Sequence, residues 1–505
     1  MYRMSIILLI LICTGCNGKL EETKELPSEL DLVNLTIQMV GDPPLDLPII
    51  ESTLNEMAQQ KLNCTVHFQY TTWSDYMQRY QLLLSSGEPI DLIFTSDWLY
   101  FSQFAMNGAF LELDNLLPMY ASDLLEYIPS HYWKTVAINN KIYTIPSIWE
   151  EYVNEGFLFR EDLRSKYNLP IPEDFKTIEQ YLDTIHQKLP EQPITAAMVI
   201  DSGYGPFFSA MSVLEMKYSW VDKNMPYGLV ADYANPDELY CYWETSEFRE
   251  DMKMFKRWAD KGFWTKSSLS NKNPLQEAFL NQHSVAILYG QNPMKFSNIS
   301  TLFKREDSSI KVGYHPYSQN NKLVKPVSPI HNGMAIPQSS KHPDRALMFY
   351  QELLLNSSWN RLTQYGIQDQ HYTIDKEGYY VMLGNKDTNG FTRESMNSWA
   401  WRNPQSMLFD RSYNTVLKLF KEFDTYAQPD IFSGFVEDYS PYEAERSALY
   451  QIVSQYLVPI EAGFVEDVDQ SVSDFLKRAK EAGLDKIHED YKKQWINYCK
   501  NKGYQ

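Results

Sequence analysis

The chain reads as an α/β protein of two or more lobes that ends in a mainly helical C-terminal region. Three observations predict this. Short apolar runs alternate with helical periodicities from residue 35 onward, the pattern of strands joined by crossover helices in a parallel sheet. The chain has 505 residues, and single cores stop growing at about 250–300 residues. From Pro441 the pattern turns helical, in three stretches ending near Leu457, Gly483 and Cys499.

The first element stands outside the folded part. Arg3 precedes an apolar run from Ile6 to Cys13, followed by Thr14, Gly15 and Cys16. A spanning helix needs roughly 20 apolar residues, so this run fits a cleaved signal peptide instead. A cut before Cys16 follows small residues, whereas a cut before Cys13 would place bulky Ile12 at the cleavage position. The arrangement resembles the lipobox of bacterial lipoproteins, in which the cysteine sulfur is lipidated and the cysteine becomes the mature N-terminus. One departure is Cys13, where that motif usually has Leu. The expected boundaries are a signal at 1–15 and a tether at 16–33, because "KLEETKELPSELD" is rich in Glu and Lys and poor in large apolar residues.

The folded chain then starts near Asn34. "LTIQMV" (35–40) reads as a buried strand, and the helix from about Pro48 to Leu62 sets Ile50, Leu54, Met57 and Ala58 on one face. "TVHFQY" (65–70) is a second strand, Ser74 caps a helix through Leu84, and "IDLIF" (90–94) is a third strand. The pattern returns with a strand at 194–200 and the helix "SEFREDMKMFKRWADKG", which buries Phe248, Met252, Phe255 and Ala259 and stops at Gly262. "SVAILYG" (284–290) is another strand. The helix in "HPDRALMFYQELLL" places Pro343 in its first turn and buries Ala346, Phe349, Tyr350 and Leu353.

Composition narrows the function. Apolar content of 44% with 14% aromatics supports complete folding, and a formal charge of −19 disfavours a nucleic-acid partner, which is held by clustered Lys and Arg. Cys64, Cys241 and Cys499 are too widely spaced for a disulfide framework or a zinc site, so they read as buried thiols. His283, His331 and His371 lack ligand-spaced companions. "DVDQS" (467–471) lacks the Gly and terminal Glu of a calcium loop and reads as a helix N-terminus. P-loop, dinucleotide, GxSxG and HExxH motifs are absent from the sequence, and no metal or cofactor is expected.

Several motifs in this order carry a family resemblance. "LLSSGEPIDLIFTSD" with "FAMNGAFLELDNLL", then "NNKIYTIPSIWEE", "FLFREDLRSKYNLPIPEDFKTIEQYLDTI", "AFLNQHSVAILYG" and "NGMAIPQSSKHPDRALMFYQELL" resemble the extracellular solute-binding proteins of bacterial ABC importers, in particular their oligosaccharide-binding branch. "YGIQDQHYTIDKEGYY" and residues 430–500, with "EAGLDKIHEDYKKQWINY", resemble a C-terminal module of many Firmicute lipoproteins of this type. The resemblance implies a two-lobe periplasmic-binding-protein type II fold: lobe 1 from 34–148 and 331–390, lobe 2 from 149–330, and a helical region at 391–505 packing on the lobes. It also implies a monomeric, lipid-anchored, extracytoplasmic binder that delivers an oligosaccharide to a membrane permease.

A neutral sugar offers hydroxyl edges and flat C–H faces, so acceptors beside rings are the residues to seek. Asp97 and Trp98 follow the strand at 90–94 directly, where side chains leave the sheet; a carboxylate capping the next helix is the alternative for Asp97. Trp149 and Glu150 sit at the first crossing between lobes, with Tyr152 as another aromatic neighbour. Glu150 and Glu151 are adjacent on extended chain, so at most one faces the cleft. Tyr204 in "SGYGPFF", Gln291 and Asn292 in "GQNP", and one of Trp399 and Trp401 in "NSWAWRN" complete the candidate ligand-binding set. The rival reading from another class is a secreted glycoside hydrolase using Asp97 and Glu150 as its carboxylate pair. A third keeps a binder but exchanges the sugar for a peptide or aromatic cargo.

Overall fold

The computed structural model describes residues 30–504, apart from 74, 191–193, 202–204, 271–274 and 385–387. The leader with Cys16, the Ser74 cap and Tyr204 therefore lie outside the described residues.

The first sheet runs in the order Cys64–Thr71, Val33–Val40, Leu92–Thr95, Gly333–Ala335, Thr144–Ile145. Its first three strands are parallel; Gly333–Ala335, added after the chain has left and returned, runs antiparallel to both Leu92–Thr95 and Thr144–Ile145, the strand from which the chain departs. Val33–Val40 is nearly continuously buried, as a central strand covered on both faces must be. Asp91 secures the returning segment: one carboxylate oxygen accepts from Thr36 N, and the other from the Ser340 hydroxyl and His342 N. The helix Leu47–Leu62 buries Leu47, Ile50, Leu54, Ala58 and Leu62 at helical spacing, with Met57 half-buried beside them, and ends at Asn63 in the left-handed region.

The second sheet has the order Val312–Pro316, Gly156–Arg160, Ala286–Ile287, Thr195–Ala196. The run at 194–200 divides: Thr195–Ala196 stays in this sheet, while Val199–Asp201 pairs antiparallel with Pro206–Phe208 as a separate hairpin. At 284–290 only Ala286–Ile287 pairs as a strand. Beyond it the Leu288 carbonyl accepts from the Tyr317 hydroxyl and Gly290 N donates to Glu155, so side chains take the backbone groups a ladder would use. The helix Ser246–Asp260 begins at Thr245, whose hydroxyl accepts from Phe248 N, and buries Phe248, Met252, Phe255 and Trp258.

Residues 391–505 contribute to both cores, and Tyr413, Val416, Phe420 and Phe423 form a smaller cluster with Tyr152 and Val324. Phe391, Met396, Ala400 and Trp401 belong to the core of the first sheet. The helices from Glu443 to Glu461, Val468–Glu481 and Leu484–Lys502 bury Leu449, Phe475, Tyr491 and Trp495 in the core of the second. Asp467 caps the second of these helices by accepting from Gln470 N. The three described cysteines are free and buried, and burial pushes the thiols up to about 11 for Cys64 and Cys499 and about 12 for Cys241. Among the described residues no helix is long and apolar enough to cross a membrane, and no cluster of His, Cys, Asp and Glu suits a metal ion.

Candidate functional site

The chain passes between the sheets at 146–155 and returns at 317–332. The two lengths are hydrogen bonded side by side, Ser147 N to Pro329 O and Val327 N to Glu151 O, each at 2.9 Å. A third length joins them where Val324 bridges Ala427 in parallel and Gln428 N donates to Val324 O. Against these crossings lies a polar cavity of about 320 Å³. Asp97 and His331 line it from the first lobe, Glu215, Asp222 and Lys223 from the second, and Asp430 from the start of the C-terminal module.

Asp97 sits in the first turn after the strand Leu92–Thr95. Its carboxylate accepts from Trp98 N at 2.7 Å and faces His331 Nδ1 at 3.0 Å. The Ser96 hydroxyl lies between that carboxylate (3.0 Å) and the His331 carbonyl (2.6 Å), and Trp98 Nε1 donates to the same carbonyl at 3.2 Å. Burial would raise the Asp97 pKa, but the His331 charge and these donors hold it below the usual carboxylate value. Burial likewise opposes the His331 cation, and Asp97 raises the imidazole above its ordinary pKa.

Beside this pair the first lobe carries an aromatic shelf. The Trp73 ring lies 6.0 Å from that of Trp98 and 6.2 Å from that of Trp399, tilted by 33° and 32°, with Phe94 beneath and Tyr76 at the edge. Trp73 is 44% exposed, which is high for an indole in a cluster of four other rings. Gly41, at φ +107°, makes room: a Cβ there would collide with Asn397 Nδ2 and stand 3.1 Å from Trp73 Nε1, while Asn397 Nδ2 donates to Val40 O.

The opposite wall is charged and internally paired. Lys223 bridges Glu155 (2.8 Å) and Glu215, and Lys325 donates to Val221 O and Asp222. Burial raises Glu215 despite Lys223, whereas Lys325 outweighs burial at Asp222 and lowers it. Beside them the Tyr218 and Trp220 rings stack at 4.3 Å and 4°.

The family profile described as bacterial extracellular solute-binding protein matches residues 47–357, more than half of the chain. The chain belongs to this family. A second profile, a domain of unknown function, matches residues 431–500. A curated relative from Streptococcus pneumoniae, named a carbohydrate ABC transporter substrate-binding protein, is 21% identical over 99% of this chain and 97% of its own length. Among solved structures, the N-glycan transport solute binding protein of Streptococcus pneumoniae superposes with a TM-score of 0.71 at 19% identity, covering 93% of this chain and 99% of that one. An extracellular solute-binding protein of Bifidobacterium longum subsp. infantis gives 0.67 at 13% identity, with 92% and 98% covered. These likenesses establish the two-lobe solute-binding fold.

Of the residues expected to line the cleft of such a solute-binding protein, the structure brings Asp97, Trp98 and Trp399 together. Tyr204 lies outside the described residues, and the others are engaged in other ways. Trp401 is fully buried, its Nε1 donating to the Thr363 hydroxyl, so it fills the first core and presents no face to the cleft. Gln291 is buried and its amide donates to Tyr289 O. Asn292 caps the helix Pro293–Glu306 by accepting from Lys295 N, so its side chain serves the helix start. Trp149 packs on Phe409 at 5.7 Å, and Tyr152 is buried with its hydroxyl on Asp424. Glu150 is exposed and accepts from the Tyr132 hydroxyl, while its neighbour Glu151 points inward to Arg402, as adjacent residues on extended chain must diverge. The cleft members missed by sequence are Trp73 and His331. Trp73 follows the strand Cys64–Thr71 just as Trp98 follows its own strand, so the same rule, applied once more, finds it. His331 is 234 residues from Asp97 and carries no local signal.

Proposed function

We propose that this protein is the lipid-anchored substrate-binding component of an ABC importer, that it captures an oligosaccharide between its lobes and delivers it to the permease, and that it performs no chemistry of its own. The observation that carries this reading is the tryptophan shelf of Trp73, Trp98 and Trp399, exposed at Trp73, next to the Asp97–His331 pair that lines the interlobe cavity. Indole faces suit the C–H faces of sugar rings, and a carboxylate with oxygens left for solvent accepts from hydroxyls. Solved complexes of the pneumococcal relative with Man1GlcNAc and Man5GlcNAc support a glycan as the ligand class. Ligand contacts made by both lobes at once favour the closed arrangement, which is what a permease reads. Lipid on Cys16 holds the binder at the membrane and raises its effective concentration at the importer.

A thermal-shift screen of neutral glycans against peptides tests the ligand class. Stabilisation by at least one glycan is expected. Stabilisation by a peptide with none by any glycan would overturn the oligosaccharide assignment.

A further inference from the structure

The second lobe holds another cavity, of about 420 Å³, at its seam with the C-terminal helices. Phe207, Trp220, Tyr227 and Trp243 supply rings on one wall, and Leu449, Val453 and Leu457 supply apolar groups on the other. Its size falls in the usual range of small-molecule sites, roughly 300–1,000 Å³. Two further features mark it. Val453–Leu457 winds as a single π-helical turn where it lines the cavity, a widening of the helix that recurs at functional sites. One helical turn further on, at the end of Val458–Glu461, Glu461, 4% exposed, also lines the cavity; one oxygen accepts from Phe208 N at 2.9 Å, its one hydrogen bond among the described residues.

An acid in such surroundings stays protonated. Burial pushes the Glu461 carboxyl up to about 8, against the single lowering influence of Phe208 N–H. The charged side chains of the cavity are committed elsewhere: Lys223 to Glu155 and Glu215, and Arg446 Nε to the Tyr227 hydroxyl at 3.1 Å. Glu461 thus offers an O–H donor to a chamber of rings and aliphatic groups, and an anionic guest would find no free cation there among the described residues, Arg446 having its own partners.

We propose that this chamber is a second ligand site, which takes an uncharged group of one or two rings bearing an acceptor for Glu461. Trp220, Lys223 and Asn224 line both this chamber and the interlobe cavity, so a guest here leans on the wall of the cleft. The proposal is independent of what the cleft itself carries.

Acetanilide, an uncharged ring with one carbonyl acceptor, is the probe. Saturation-transfer NMR and calorimetry on the mature chain are expected to show saturable binding at pH 6.5. Affinity should fall about tenfold by pH 9, as a carboxyl titrating near 8 becomes ionised by that ratio. Glu461→Gln keeps a donor and should bind with no such pH dependence. Ser447→Trp, at an exposed rim position, should block the chamber without changing the melting temperature. Absence of saturable binding by folded wild type at pH 6.5, unchanged binding by Ser447→Trp, or an unchanged pH profile in Glu461→Gln would each overturn the proposal.

Discussion

Replacing Trp73 with alanine separates a ligand-facing ring from a packing one. Trp73 is 44% exposed, and on a side chain of about 250 Å² this leaves roughly 110 Å² open. A sugar face laid over half of that removes about 55 Å² from each partner, and ~110 Å² in all is worth ~2.7 kcal/mol at ~25 cal/mol/Å². Ordering and imperfectly paired hydroxyls offset roughly half. The remaining ~1.4 kcal/mol corresponds to about a tenfold rise in Kd. Calorimetric titration with the best glycan from the screen reads this directly, and a thermal melt beside it should stay within about 2 °C of wild type. Trp401→Ala is the contrasting variant. With its indole fully buried and bonded to Thr363, it should lose about 3–5 kcal/mol of stability. A folded Trp73→Ala that binds glycan as tightly as wild type would refute the shelf as a ligand surface.

Four further outcomes are expected. Because Asp97 raises His331 above 6.5, their attraction stabilises fully below that pH and is lost as pH rises through the raised midpoint; with both side chains about a third exposed, melts from pH 6 to 9 should show wild type losing only about 0.5 kcal/mol relative to His331→Gln. At acid pH the same comparison should show a second loss, below the usual carboxylate range, as pH falls through the lowered Asp97 value. Arg402→Met leaves the buried Glu151 and the half-buried Glu394 without their shared cation, and urea unfolding should report a loss of about 3–5 kcal/mol. Cys16→Ser should move the protein from the membrane fraction to the medium and abolish acyl labelling; retention on the membrane would remove the anchor from the proposed function.

The fold was legible wherever burial alone decides structure. Val33–Val40 and Cys64–Thr71 are apolar enough to declare themselves, and the helix at 246–260 shows its buried face by spacing. The run at 284–290 is apolar beyond its short strand, and the partners that end that strand, Tyr317 and Glu155, lie elsewhere in the sequence. The candidate site was legible where a residue follows a strand, as Asp97 and Trp98 do. Trp399 and Trp401 separate, one on the shelf and one in the core, because Ser398–Trp401 is a 3-10 turn, in which residues two apart do not share a face as they would on a strand. Asn292 and Gln291 were misread because an amide after a strand serves equally as a helix cap or a buried brace.

The three lengths of chain lying edge to edge between the sheets have a mechanical consequence. One strap alone would let the halves swivel, whereas three bonded flat against one another behave as a leaf spring, compliant to flexing across its breadth and stiff to torsion. Since the helices beyond Glu443 are rooted in the second core, any flexing of this spring would carry them along with that side.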